Sequence, residues 1–318
     1  METISNPSQD QILKAAKALK NGHLVAFPTE TVYGLGADAA NDKAVCKIYS
    51  VKGRPTDHPL IVHISSISQL DKWAIDIPEY AVKLAKEFWP GPMTLILKRS
   101  GSVTNFITGG QEYVGLRVPN QPIALALLRA HEILGGFGIA APSANRFGAV
   151  SPTTASAVQE ELGCSLNDND LILDDGPCVI GIESTIIDCT NSAPSILRYG
   201  AITIKMIETL VGIKVNLNHE DSAKRVSGRL KKHYSPRAKI EFGKAPKPGQ
   251  GFIALASIPN SNNSIRLASP INLVEFSHQL YSALRLADSL SLESILVTLP
   301  EGDGLALAIR DRLIRAAG

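Results

Sequence analysis

Residues 28–36 read Pro28-Thr29-Glu30-Thr31-Val32-Tyr33-Gly34-Leu35-Gly36, directly after the short apolar run Leu24 to Phe27. The run predicts a buried strand, which places the quoted stretch at its carboxyl end, where open α/β sheets bind ligands. Pro28 restricts its own φ and the backbone of Phe27 before it. Gly34 and Gly36 allow either positive φ or close backbone approach. Lys52-Gly53-Arg54-Pro55 follows. Pro55 biases Arg54 toward extended backbone, and an extended segment would present Lys52 and Arg54 to one side. One stretch offers hydroxyls and bare backbone, the other offers fixed positive charge. Together they could hold a small polar substrate against a polyphosphate. Read alone, each has a plainer meaning: a strand-to-helix turn, and a solvated surface pair.

Outward from this stretch, the chain alternates helical and strand patterns. Ser8 with Gln11 fits a capping box for a first helix over 8–21, with Ile12, Leu13, Ala16 and Leu19 on its apolar face and Gly22 closing it. Strand patterns recur at Leu60–Ile64, Met93–Lys98, Tyr113–Val118, Gly138–Ala141, Leu171–Leu173, Ser184–Asp188 and Ile196–Arg198. Helical patterns lie at 41–51, 78–88, 122–131, 153–162 and 203–210. Some strand pairs are too close in sequence for a crossover helix, so the sheet is expected to be mixed.

The texture changes after Val211. Residues 224–239 carry Lys224, Arg225, Arg229, Lys231, Lys232, Arg237 and Lys239 with no acidic residue and no apolar periodicity. This is a linker or lid rather than a core element. A strand at Phe252–Ala256, a helix over 272–290, a strand at Ser294–Thr298 and a helix over 304–316 then predict a small Rossmann-like α/β unit. The expected organisation is 1–212, a basic linker 213–239, and 240–318, without internal repeats.

The 318 residues suffice for two domains at roughly 150 residues each. With 44% hydrophobic and 19% charged residues the chain is globular, and a net charge of +2 offers no global field for nucleic acid or membranes. The polar N-terminus lacks a signal pattern, and no apolar run approaches the ~20 residues that span a bilayer. Cys46, Cys164, Cys178 and Cys189 form no CxxC pair, which points to reduced thiols and a cytoplasmic location.

Several further residues could carry chemistry. In Ala140-Ala141-Pro142-Ser143-Ala144-Asn145, Pro142 holds Ala141 extended, so Ser143 and Asn145 can face one way while the alanines admit a ligand to the backbone. Ser151-Pro152-Thr153 precedes a helical pattern, and capping alone would explain its hydroxyls. A helix N-terminus also attracts anions. Arg117 ends an apolar strand, as a carboxylate clamp or a salt-bridge partner. His63 sits inside a strand, where a satisfied core histidine is the plainer reading. Ser184 and Arg198 fall at strand ends. No GxxxxGK[ST], nucleophile elbow or HExxH occurs, and the Gly34-x-Gly36-x-x-Ala39 match to a dinucleotide fingerprint lacks the strand and acid it needs. The inventory suits catalysis by positioning and charge neutralisation, without a protein nucleophile.

With these motifs the chain resembles the threonylcarbamoyl-AMP synthases in their two-domain form, a YrdC-like catalytic domain with a small Rossmann-like C-terminal domain. The resemblance runs in order through the opening stretch, Lys52-Gly53-Arg54-Pro55, His58-Pro59-Leu60-Ile61-Val62-His63, Trp89-Pro90-Gly91-Pro92-Met93-Thr94 and Arg117-Val118-Pro119. It continues through Ala141-Pro142-Ser143-Ala144-Asn145, Ser151-Pro152-Thr153, Glu183-Ser184-Thr185-Ile186, Leu197-Arg198 and His233-Tyr234-Ser235-Pro236. It implies a twisted mixed YrdC-like sheet and the condensation of L-threonine, bicarbonate and ATP to threonylcarbamoyl-AMP with release of pyrophosphate. A separate tRNA threonylcarbamoyl transferase would consume the product, to modify tRNA beside the anticodon.

By the same resemblance, Thr31, His63, Arg117, Ala141 and Ser184 would line the threonine site. Arg54, His58, Tyr113, Ser143, Asn145, Ser151, Arg198 and Tyr234 would serve ATP, with Lys52 and Arg54 catalytic and Mg²⁺ bridging the phosphates. Two rival readings are an RNA-binding module, with at most weak tRNA contact, and the related domain of hydrogenase-maturation proteins. The near-neutral charge and 5% aromatic content oppose the first. The second would bring zinc-finger cysteines that this chain lacks.

Overall fold

The computed structural model describes residues 1–217, 224–228, 232–260 and 263–318. Arg229 and Lys231 of the basic linker lie outside them. The first sheet comprises β1 (Glu2–Ser5), β2 (Val25–Phe27), β3 (Gly34–Asp38), β4 (Ile61–His63), β5 (Met93–Lys98) and β6 (Tyr113–Arg117), with β7 (Ile139–Ala140), β8 (Leu171–Asp174), β9 (Thr185–Asp188) and β10 (Ser195–Arg198). Among the described residues these form a ten-stranded sheet in the order β1-β8-β2-β3-β7-β4-β6-β5-β9-β10. It is mixed, as expected: β4 lies parallel to β6 and β5 to β9, while β2/β3, β5/β6 and β9/β10 are antiparallel.

The central strands are buried on both faces, which is why they read as continuous apolar runs rather than alternating ones. One apolar layer gathers Leu35, Ile48, Val62, Leu84, Leu95 and Leu116; another gathers Leu19, Phe27, Leu127 and Leu173. The first helix spans Gln9–Lys20 with the Ser8–Gln11 capping box in place, and Gly22 closes it as expected: it follows the C-cap Asn21 at φ 79°, and the Gly22 and His23 amides donate to Leu19 O and Ala18 O.

The opening stretch differs from expectation in one respect. It leads into β3, antiparallel to β2 with Phe27 opposite Gly34, and not into a helix. Gly36 does not use positive φ; it permits close approach, because a Cβ there would sit 2.7 Å from Ile139 Cγ2.

A second, wholly parallel sheet holds β11 (Lys239–Phe242), β12 (Gly251–Ile253), β13 (Ile265–Ala268) and β14 (Ser294–Val297), in the order β11-β14-β12-β13. The helices Leu273–Ser289 and Leu305–Ala317 cover it. Its apolar core is continuous with the first sheet's loops: Val32, Val150 and Ile182 pack in one cluster with Tyr234, Phe276, Tyr281 and Leu313. Among the described residues no helix is long and apolar enough to cross a membrane.

Candidate active site

The loop joining β2 to β3 is tied by its own hydroxyls. Thr29 Oγ1 donates to the Val32 carbonyl at 2.6 Å and accepts from the amides of Thr31 and Val32 at 3.1 and 3.2 Å. Residues 141–145 run beside it, with the Leu35 amide donating to Pro142 O and the Ala144 amide to Tyr33 O. Between these segments opens a cleft lined by Thr31, Lys52, Arg54, His63, Arg117, Ala141, Ser143, Asn145, Ser184, Arg198 and Tyr234.

Lys52 is not in an extended segment. It is the last residue of the helix Asp42–Lys52, and Gly53 caps that helix at φ 61°. The two cations still reach one cleft, because the left-handed cap turns the chain back. Lys52 Nζ donates to Ser143 O at 2.6 Å and to Asn145 O, so it also pins the 141–145 segment. Burial first, and Arg54 second, push its pKa well below the usual lysine range. Arg54 donates through Nη2 to Pro59 O at 2.9 Å and to Ser227 Oγ at 3.1 Å. Burial lowers it to about 10, which leaves it charged at neutral pH.

Parallel pairing of β4 and β6 sets His63 beside Arg117. Arg117 pairs with Glu30 at 2.8 Å, both side chains almost wholly buried. Sequence reasoning passed over Glu30, although it stands in the first quoted stretch. At the far wall, Arg198 donates to Ser184 O, Ser184 Oγ and Ser227 O at 3.0, 3.1 and 3.0 Å. Ser184 Oγ lies 2.8 Å from Thr94 Oγ1.

The linker enters this cleft. Ser227 bridges Arg54 and Arg198, and Tyr234 is 1% exposed, stacked on Tyr281 at 5.7 Å. Gly228, at φ 88°, leaves space for Tyr234: a Cβ would lie 2.2 Å from the phenol oxygen. About 50 Å³ of free space remains, against the ~300–1,000 Å³ usual for ligand pockets. The serine and threonine hydroxyls paired here meet one another or a carboxylate already held elsewhere: Thr29 with Thr31, Thr94 with Ser184, and Ser151 with Glu183.

Burial is the first cause depressing both His63 and His233, each to about 3, so both are neutral at physiological pH. An unfolded chain takes up these protons near 6.5 and the folded one resists, so stability is full above that value and falls as pH drops through it. The slope is at most about 1.4 kcal/mol per pH unit per histidine. Glu183, held at about 2, adds its own loss only at more acidic pH. Melting temperatures should therefore fall between pH 7 and pH 5, and His63→Gln should flatten the fall; equal stability at both values would contradict this account.

Residues 17–200 match the family model described as telomere recombination, and residues 202–318 match the one described as threonylcarbamoyl-AMP synthase, C-terminal domain. The chain belongs to the threonylcarbamoyl-AMP synthase family. It is 39% identical to the threonylcarbamoyl-AMP synthase of Pyrococcus abyssi over 96% of this chain and 93% of that protein. Its identity to the Bacillus subtilis threonylcarbamoyl-AMP synthase is 40%, over 97% and 93% of the two chains. The crystal structure of P. abyssi Sua5 complexed with L-threonine superposes with a TM-score of 0.89 at 36% identity, over 100% of this chain and 97% of that one.

Three of the residues that resemblance to the synthase family singles out stand outside the cleft lining. Tyr113 lies in a neighbouring pocket under Lys224, whose Nζ is 4.3 Å from the ring centroid. His58 packs edge-on against Phe147 at 5.2 Å. Ser151 is no helix cap: Thr154 caps the helix Ala155–Leu162, and Ser151 Oγ donates instead to Glu183 at 2.6 Å.

Proposed function

We propose that this cleft is where the chain condenses L-threonine, bicarbonate and ATP to threonylcarbamoyl-AMP, acting as a nucleotidyltransferase that releases pyrophosphate. The threonine amine bonds to the carbon of bicarbonate, and the amine proton leaves with the bicarbonate hydroxyl as water, to give a carbamate. A carbamate oxygen then attacks the α-phosphorus and pyrophosphate leaves. Neither step needs a protein nucleophile. Both need anions held together against their repulsion, and the observation that carries the reading is the convergence of Lys52, Arg54 and Arg198 on the cleft that also holds Thr31, His63, Arg117 and Ser184.

In this reading Arg117 and Ser184 orient threonine with Thr31, the Ala141 backbone and neutral His63. Arg54, Ser143, Asn145, Arg198 and Tyr234 take the nucleotide, and Lys52 neutralises phosphate charge while holding residues 143–145. Ile61 and Ser227 line both the cleft and the neighbouring pocket. Displacement of the linker at 224–228 would therefore join the two, bring Tyr113 to the nucleotide, and make room on the side of His58, where Arg225 holds the Asp57 carbonyl. Mg²⁺ arrives with the ATP phosphates as part of the substrate; among the described residues no group of three or more His, Cys, Asp or Glu could hold it. The setting is the cytoplasm, the product passes to a tRNA threonylcarbamoyl transferase, and any direct tRNA contact is weak.

Pyrophosphate release should require L-threonine and bicarbonate together, because the attacking group is made from both. Serine lacks one methyl, a difference of about 1–3 kcal/mol in a fitted pocket, so it should react slowly rather than not at all. A coupled pyrophosphate assay decides: full turnover without bicarbonate would remove the carbamate step.

A further inference from the structure

Glu183 immediately precedes Ser184, and its carboxylate is held from the C-terminal part of the chain. Tyr281 Oη donates to it at 2.9 and 3.2 Å, and Arg312 Nε at 2.7 Å. Arg312 is 0% exposed, and each of its three nitrogens donates: besides Nε, Nη1 donates to Asp311 at 2.5 Å and Nη2 to Tyr199 O at 2.8 Å, and its guanidinium lies 5.3 Å from the Tyr234 ring centroid. Burying such a charge is unfavourable unless it is paired and hydrogen-bonded. Of its two carboxylate partners, Asp311 lies outside the cleft and Glu183 lines it.

A second arginine, Arg198, also feels Glu183 electrostatically yet makes no hydrogen bond to it; its donors go to Ser184 and Ser227 in the cleft. We propose that Arg312, with Tyr281, is a positioning residue of the synthase site: by neutralising Glu183 it leaves Arg198 free to face the substrates. The C-terminal helices thereby complete the site rather than ride beside it. The inference rests on the function proposed above. Remove Arg312, and the buried Glu183 has Arg198 as its remaining arginine, so that guanidinium turns inward and is lost to the nucleotide.

The test uses the full-length protein and three variants: Arg312→Met, the double variant Glu183→Gln with Arg312→Met, and Tyr281→Phe. Arg312→Met should raise the KM for ATP at least about tenfold, the worth of one charge-assisted hydrogen bond. The double variant should recover most of that loss in KM, because a neutral amide does not compete for Arg198; a merely structural role predicts that melting temperature recovers while the KM for ATP does not. A double variant no better than Arg312→Met, or an unchanged KM in Arg312→Met, overturns the proposal. Where Arg312→Met gives no folded protein, Tyr281→Phe decides. It removes one hydroxyl donor to Glu183 and should raise the KM for ATP about threefold, within the worth of one hydrogen bond. An unchanged value overturns the proposal. Wild-type turnover separates the two levels. Its absence overturns the proposed function and this inference with it, whereas normal wild-type turnover with unaffected variants overturns the inference alone.

Discussion

Arg54→Ala is expected to lower kcat/KM for ATP by about two to three orders of magnitude, the range seen when a preorganised charge-stabilising donor is removed. Folding should change far less. The partners of Arg54 are neutral: the carbonyls of His58 and Pro59 and the Ser227 hydroxyl, so its removal strands no buried carboxylate. Its stacking on Phe147, 5.5 Å from the ring centroid, is replaceable packing. Arg54→Lys should lie between, because a point charge keeps the attraction but loses the planar fork. Pyrophosphate release at limiting ATP measures both variants. Wild-type turnover in Arg54→Ala would show that this guanidinium does not meet the phosphates.

Arg117→Ala should do the opposite kind of damage. Its Glu30 partner is 4% exposed, and breaking a buried pair from one side leaves a charge without compensation, a loss of about 3–5 kcal/mol. That is a large share of the margin, since whole domains are stable by only ~5–15 kcal/mol. Pairing the change with Glu30→Gln should return much of the stability while threonine-dependent turnover stays low. Denaturant melts and the threonine KM, measured on both variants, separate the structural role of Arg117 from its substrate role. An Arg117→Ala protein as stable as wild type would contradict the buried-pair account.

Much of the site was legible because its residues sit at ends of apolar runs. Arg117 and Arg198 close strands whose burial is plain from Val, Ile and Leu content, while His63, inside the run Leu60–Ile64 in sequence, closes the shorter strand Ile61–His63 beside Arg117. Strand β3 was less legible. Gly34-Leu35-Gly36-Ala37-Asp38 has neither β-branched residues nor alternation, and packing against Phe27 and Ile139 overrides that weak propensity. Lys52 is helical rather than extended because Pro55 restricts only the residue before it, Arg54, and the Asn41-capped helix runs on to Lys52. In the sequence Glu183 stands only as the first residue of the Glu183-Ser184-Thr185-Ile186 stretch, and Arg312 lies unremarked within the helical pattern 304–316. Its signal was present all the same: Ala306, Ile309, Leu313 and Ala316 mark the buried face, and Arg312 lies among them. A charge on the apolar face of a helix asks for a buried partner, which tertiary structure alone could name.

The central claim is that one cleft joins three small substrates without a covalent enzyme intermediate. Incubating the protein with ATP, L-threonine and ¹³C-bicarbonate, followed by mass analysis of the quenched mixture, tests it most directly. The account predicts a threonylcarbamoyl adenylate heavier by the single ¹³C than the product made from unlabelled bicarbonate, and pyrophosphate in equal amount. An adenylate without the label, or labelled carbon bound to the protein, would contradict it.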